Sequence, residues 1–77
     1  MTDPELLNAA MRVTGLNLHR FASDILDINW RRLERWLAGD HQIPSGIRGV
    51  CLAIIERPEI AEEIVRDRAI AQRSRPR

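Results

Sequence analysis

Three arginines, Arg31, Arg32 and Arg35, stand close together in this chain behind Asn29 and Trp30, with Glu34 the sole acid among them. A guanidinium is a planar fork of N–H donors that matches guanine O6 and N7 bidentately, the commonest specific contact in the DNA major groove, and it also pairs with phosphate. With the segment helical and Leu33 set at zero degrees, Trp36 and Leu37 fall within about 60 degrees of it, and Arg31 and Arg35 near about 160 and 200 degrees. Such a helix has one apolar face and one arginine face. Arg35 lies one turn beyond Arg31, and neither Arg31 nor Arg32 has an acid at i+4, the partner that a helix built for solubility tends to supply. Two forks on one ridge form a reading surface for bases. Arg32, at about 260 degrees, faces the wall of a groove and suits phosphate.

Other chemistries find less to work with. His19 and His41 are far apart in sequence, with no cysteine or acid cluster at metal-ligand spacing, so no metal site and no cofactor is expected. Cys51 sits on an apolar stripe, a setting that opposes the depressed pKa a reactive thiol needs. No Ser/His/Asp grouping, paired-carboxylate pocket or phosphate loop is evident, and a chain of 77 residues has little volume for an active site. Catalysis is not expected.

With 44% hydrophobic and 30% charged residues, the composition is that of a folded protein rather than a disordered one. The net charge of +1 hides a segregation: residues 29–37 carry three arginines against one acid, whereas residues 1–28 carry two against four. A second basic cluster, Arg73, Arg75 and Arg77, ends the chain and reads as a solvated face. A lone cysteine and a start without a charged-then-apolar leader pattern point to a cytoplasmic location. The longest apolar run, Val50 to Ile55, is far too short to span a membrane.

The elements that must position the arginines follow from caps and periodicity. Thr2 and Glu5 stand at capping-box spacing with Pro4 in the first turn; a helix from there carries Leu6, Ala10 and Val13 inward, with Leu7 and Met11 beside them, and stops at Thr14-Gly15. Asn17 caps a second, short helix that buries Phe21, Ala22, Ile25 and Leu26 before Asp27 interrupts it. Asn29 caps the third, Trp30 to about Ala38, with Leu33, Trp36 and Leu37 inward and a stop at Ala38-Gly39-Asp40. Trp30, about 60 degrees off the core centre, is open either to packing against the second helix or to touching a thymine methyl. After a loop closed by Pro44, a fourth helix repeats Ile47, Val50, Cys51, Ile54 and Ile55 and should be the most buried element. Pro58 opens a fifth, with Glu59, Glu62 and Glu63 near its start and Arg66 and Arg68 further on, as the macrodipole favours. The expected fold is an all-α bundle of about five helices, one domain over residues 1–72, with order lost over Gln72 to Arg77 and a flexible basic tail at 73–77.

In Gly15-Leu16-Asn17, then Ser23, Asp27, Ile28, Leu33 and Trp36, and the exit Leu37 to Pro44, the chain resembles the lambda-repressor and Cro-like helix-turn-helix regulators, the xenobiotic-response-element type. In that family a small residue marks where the second helix crosses the recognition helix, a positive-φ residue lies four positions on, and apolar residues follow one, six and nine positions after it. Ser23, Asp27, Ile28, Leu33 and Trp36 fill those slots. Gly15 stands one residue further from Ser23 than the family's spacing, so either the second helix starts later or Ala22 is the crossing residue and the turn is longer; Ser23 is preferred because it preserves the spacing through Trp36. Aspartate is among the few substitutes for glycine that positive φ tolerates. The resemblance implies base contacts from Trp30, Arg31 and Arg35 and phosphate contacts from His19 and Asn29, with Arg32 and His41 as further phosphate candidates. It also implies a transcriptional repressor of the kind common on phages and mobile elements, often acting on its own promoter.

One reading helix spans few base pairs, so a homodimer on a palindromic site is expected, with helix 4's outer edge and helix 5 as the interface through Ile60, Ile64 and Val65, and Ile70 beside them. The rival reading is a protein-interaction module, an antitoxin or accessory subunit, that offers the same arginine face to an acidic protein.

Overall fold

In a computed structural model, the chain is described from Met1 to Ser74, with side-chain surroundings through Ile70. The order is α1 (Asp3–Thr14), α2 (Leu18–Arg20) running directly into a π-helical turn (Phe21–Leu26), α3 (Trp30–Leu37), α4 (Ser45–Glu56) and α5 (Glu59–Ser74). Among the described residues there is no strand, and no helix is long and apolar enough to cross a membrane. The expected all-α bundle is what forms. Helix α5 runs to Ser74, and residues 75–77 of the expected tail lie outside the described residues.

Local chemistry sets the helix ends. Thr2 Oγ1 accepts from the Glu5 N–H at 3.3 Å, and its hydroxyl donates to the Glu5 carboxylate at 2.9 Å, so the capping pair closes side chain to side chain. Gly15 ends α1 at φ 72, a conformation that costs a residue with a Cβ, and its N–H donates to the Met11 carbonyl. The Asn17 and Asn29 side chains cap as expected, accepting from Arg20 N at 2.9 Å and Arg31 N at 2.8 Å.

Between those caps the chain departs from the expected geometry. The N–H groups of Asp27 and Ile28 both reach back to the carbonyl of Ala22, the wide spacing of a π turn. Ala22 is fully buried and Ser23 exposed, so Ala22, not Ser23, is the small residue packed inside. Asp27 has φ 55, the one positive φ on a non-glycine residue among those described.

One core joins all five helical stretches: Leu6, Leu7 and Ala10 from α1, Phe21, Ala22, Ile25 and Leu26 from the π turn, Leu33 and Trp36 from α3, Cys51 and Ile54 from α4, and Ala61 from α5, with Ile43 from the loop. Fully burying a Leu, Ile or Phe side chain contributes about 1.5–3 kcal/mol, so a few such residues match the whole stability of a small domain, about 5–15 kcal/mol. Two expectations fail here. Val13 is 40% exposed because the buried stripe of α1 is turned toward Leu7. The π turn, not α4, is the most buried element: α4 buries Cys51 and Ile54 fully but leaves Leu52 47% exposed.

Two long-range anchors hold α3's ends. Asp3 accepts from the Ile43 N–H at 3.0 Å and pairs with the Arg48 guanidinium, tying the exit loop of α3 to the first turns of α1 and α4. Arg68 on α5 donates to the Ile25 carbonyl at 3.0 Å and lies 3.3 Å from the Asp27 carboxylate. A cation at a helix C-terminus, where carbonyls lack partners, is favoured by the dipole, so α5 braces the turn that launches α3.

Candidate nucleic-acid interface

Helix α3 turns Leu33 and Trp36 inward and leaves Arg31, Arg32, Glu34 and Arg35 exposed on the other side. The split expected from the wheel is present. Among the described residues Arg20, Arg48, Arg57 and Arg68 each form an ion pair, with Asp24, Asp3, Glu59 and Asp27 respectively. Arg31, Arg32 and Arg35 form none, and of the other arginines whose side chains are described Arg12 and Arg66 also form none. The arginine face is therefore not paired by any acid among the described residues. An unpaired guanidinium near water keeps its donors for an incoming acceptor without first breaking an internal contact.

The structure brings three predicted site residues together. The His19 imidazole, from α2, stands against the Trp30 indole with centroids 4.7 Å apart and planes at 45°, within the range of tilted aromatic pairs. The Arg31 guanidinium carbon lies 5.4 Å from the same ring's centroid, within cation–π reach. Trp30 is itself half-buried and packed against the core. Of its two expected uses, packing against the second helix is therefore met.

The other predicted residues stand apart. Arg32, Arg35 and His41 are exposed, with no side-chain hydrogen bond or ion pair joining them to the stack. Asn29 is exposed, with Oδ1 engaged in capping, which leaves its Nδ2 donors for another acceptor. The candidate interface residues Ile60, Ile64 and Val65 are half-buried against the chain's own core, while Ile70 is 55% exposed. Sequence reasoning missed Asp3 and Arg68, whose partners on either side of α3, Ile43 and Ile25, lie 40 and 43 positions from them.

No family model, curated protein or solved structure matches this chain. No group of three or more His, Cys, Asp or Glu among the described residues is placed to hold a metal ion. Burial raises the Cys51 thiol to about 11, which suppresses the thiolate near neutral pH. Glu59 is held below the usual carboxylate range by its own backbone N–H and by Arg57, a local effect at the exposed start of α5.

Proposed function

We propose that the chain is a sequence-specific binder of double-stranded DNA: α2 with its π turn, the Asp27 turn and α3 act as a helix-turn-helix, with α3 in the major groove. The observation that carries the reading is the arginine face of α3, unpaired among the described residues and backed by the buried Leu33 and Trp36. Arg31 and Arg35 read bases; Arg32, His19, Asn29 and His41 meet phosphate. The chain acts as a homodimeric transcriptional repressor on a palindromic site, since one short helix reads too few base pairs to find a site in a genome.

The test is equilibrium binding to random duplex DNA over a range of salt, followed by selection of bound duplexes from a random pool. Phosphate neutralisation by several arginines gives a log–log slope of about −0.9 for each phosphate contacted. A steep slope and an enriched, two-fold symmetric sequence support the reading. A flat slope with no enrichment turns it toward an acidic protein partner.

A further inference from the structure

The side chains of α2 and α3 meet at one indole. Trp30 is the first residue of α3, half-buried and packed against the core, and it carries the His19 imidazole at 4.7 Å and the Arg31 guanidinium at 5.4 Å. Arg31 is also held from behind: its backbone N–H donates to Asn29 Oδ1 at 2.8 Å. Arg32 and Arg35, exposed on the same helix, rest on no aromatic ring among the described residues.

We propose, resting on the DNA-binding reading above, that Trp30 is a positioning residue: it touches no base, and holds Arg31 ordered so that Arg31, alongside Arg35, determines specificity. The reasoning is entropic and geometric. An arginine side chain has many rotamers, and fixing it on a base edge costs the freedom of each. A guanidinium already resting over an indole has lost part of that freedom before DNA arrives, and tryptophan is the best aromatic partner for it. The indole, flanked by imidazole and guanidinium and set against the core, has little ring left for a thymine methyl. Because His19 comes from α2, the same stack joins the start of that helix to the start of α3.

The test is a double-mutant cycle on the duplex that the wild type selects from a random pool, with a random duplex as control and circular dichroism to check folding. Trp30→Leu keeps apolar bulk against the core but offers no ring face, Arg31→Ala removes the guanidinium, and the double variant closes the cycle. Trp30→Leu is expected to lose about 3- to 10-fold on the selected duplex, as expected for ordering one long side chain, and less on the random one. The double variant should bind no more weakly than Arg31→Ala alone, and Trp30→Phe, which restores an aromatic face, should recover most of the loss. Losses that multiply in the double variant would show Trp30 contacting DNA on its own account and overturn the proposal while leaving DNA binding intact. So would a Trp30→Leu variant that binds like the wild type. A wild type that selects no sequence removes the DNA-binding reading itself, a different failure. If Trp30→Leu does not fold, Trp30→Met, which also lacks a ring face, takes its place in the cycle, with the same additive result counting against the proposal.

Discussion

Between about pH 9 and 11 the Cys51 thiol is the only side chain in this protein that titrates, since the sequence has no tyrosine and all twelve of its Lys and Arg residues are arginine. Cys51 is fully buried, and loss of solvation moves its pKa from 9.0 to about 11. Below about pH 9 the thiol is protonated in folded and unfolded chains alike, and its burial adds no pH dependence. As the pH rises further, the unfolded chain ionises first, the folded chain retains its proton, and stability falls until the folded thiol also ionises near pH 11. A shift of about two units at about 1.36 kcal/mol each predicts a loss of roughly 2–3 kcal/mol across this window. For a domain this small, with a Tm change of about 4–8 °C per kcal/mol, the melting temperature should fall by at least about 8 °C. The assay is circular dichroism melting in steps across the window for the wild type and for Cys51→Ala. The alanine variant should be less stable at every pH because of the cavity it leaves, but level between pH 9 and 11. A wild-type curve that stays level, or an alanine variant that falls in parallel, would refute the burial argument.

Asp27→Gly removes the cost of φ 55 and also the exposed pairing with Arg68; the two effects are each up to about 1 kcal/mol and opposed, so urea denaturation should find the variant within about 1 kcal/mol of wild type, whereas Asp27→Val loses the pair and worsens the strain. Glycine proving the worse of the two would mean that backbone strain does not govern this turn. Asp3→Ala takes the acceptor from the Ile43 N–H and the partner from Arg48 and should cost about 1–3 kcal/mol, with faster hydrogen exchange at Ile43; unchanged exchange there would show that the anchor does not hold the loop. Sedimentation equilibrium at tens of micromolar should show a homodimer that Leu52→Glu or Ile70→Glu weakens, since both side chains are about half exposed and can change without opening the core. Monomer alone, with and without a palindromic duplex, would exclude the dimer.

Much of the fold was legible because its signals are local. Thr2, Gly15, Asn17 and Asn29 act at the positions where their chemistry demands, and the positive φ at Asp27 is the one that the resemblance to helix-turn-helix regulators implies. The π turn was not legible, and neither was the choice between Ala22 and Ser23, because which of them enters the core depends on what packs against them. Hydropathy overstated the burial of α4: an apolar run records what a helix is able to bury, and α4, lying against α1 and α5, covers one side and leaves Leu52 out. The Asp3–Arg48 and Arg68–Ile25 contacts join residues 45 and 43 positions apart, beyond any periodicity. At the interface, residue types gave the arginine face of α3, while the stacking of His19 and Arg31 on Trp30 required two helices to be placed together.

Arg35 tests the central claim most directly, because it points away from Leu33, is exposed, and pairs with no acid among the described residues. The measurement is a pair of titrations of Arg35→Ala, on the selected duplex and on a random one, at two salt concentrations. A base-reading arginine predicts a loss of about 1–3 kcal/mol on the selected duplex, relaxed preference at one base position, and a smaller change on the random duplex. Arg32→Ala should instead weaken both duplexes alike and make the salt slope shallower by about one unit per monomer. Equal losses on both duplexes for Arg35→Ala would make it a phosphate contact, and no loss on either would contradict the placement of α3 in the groove.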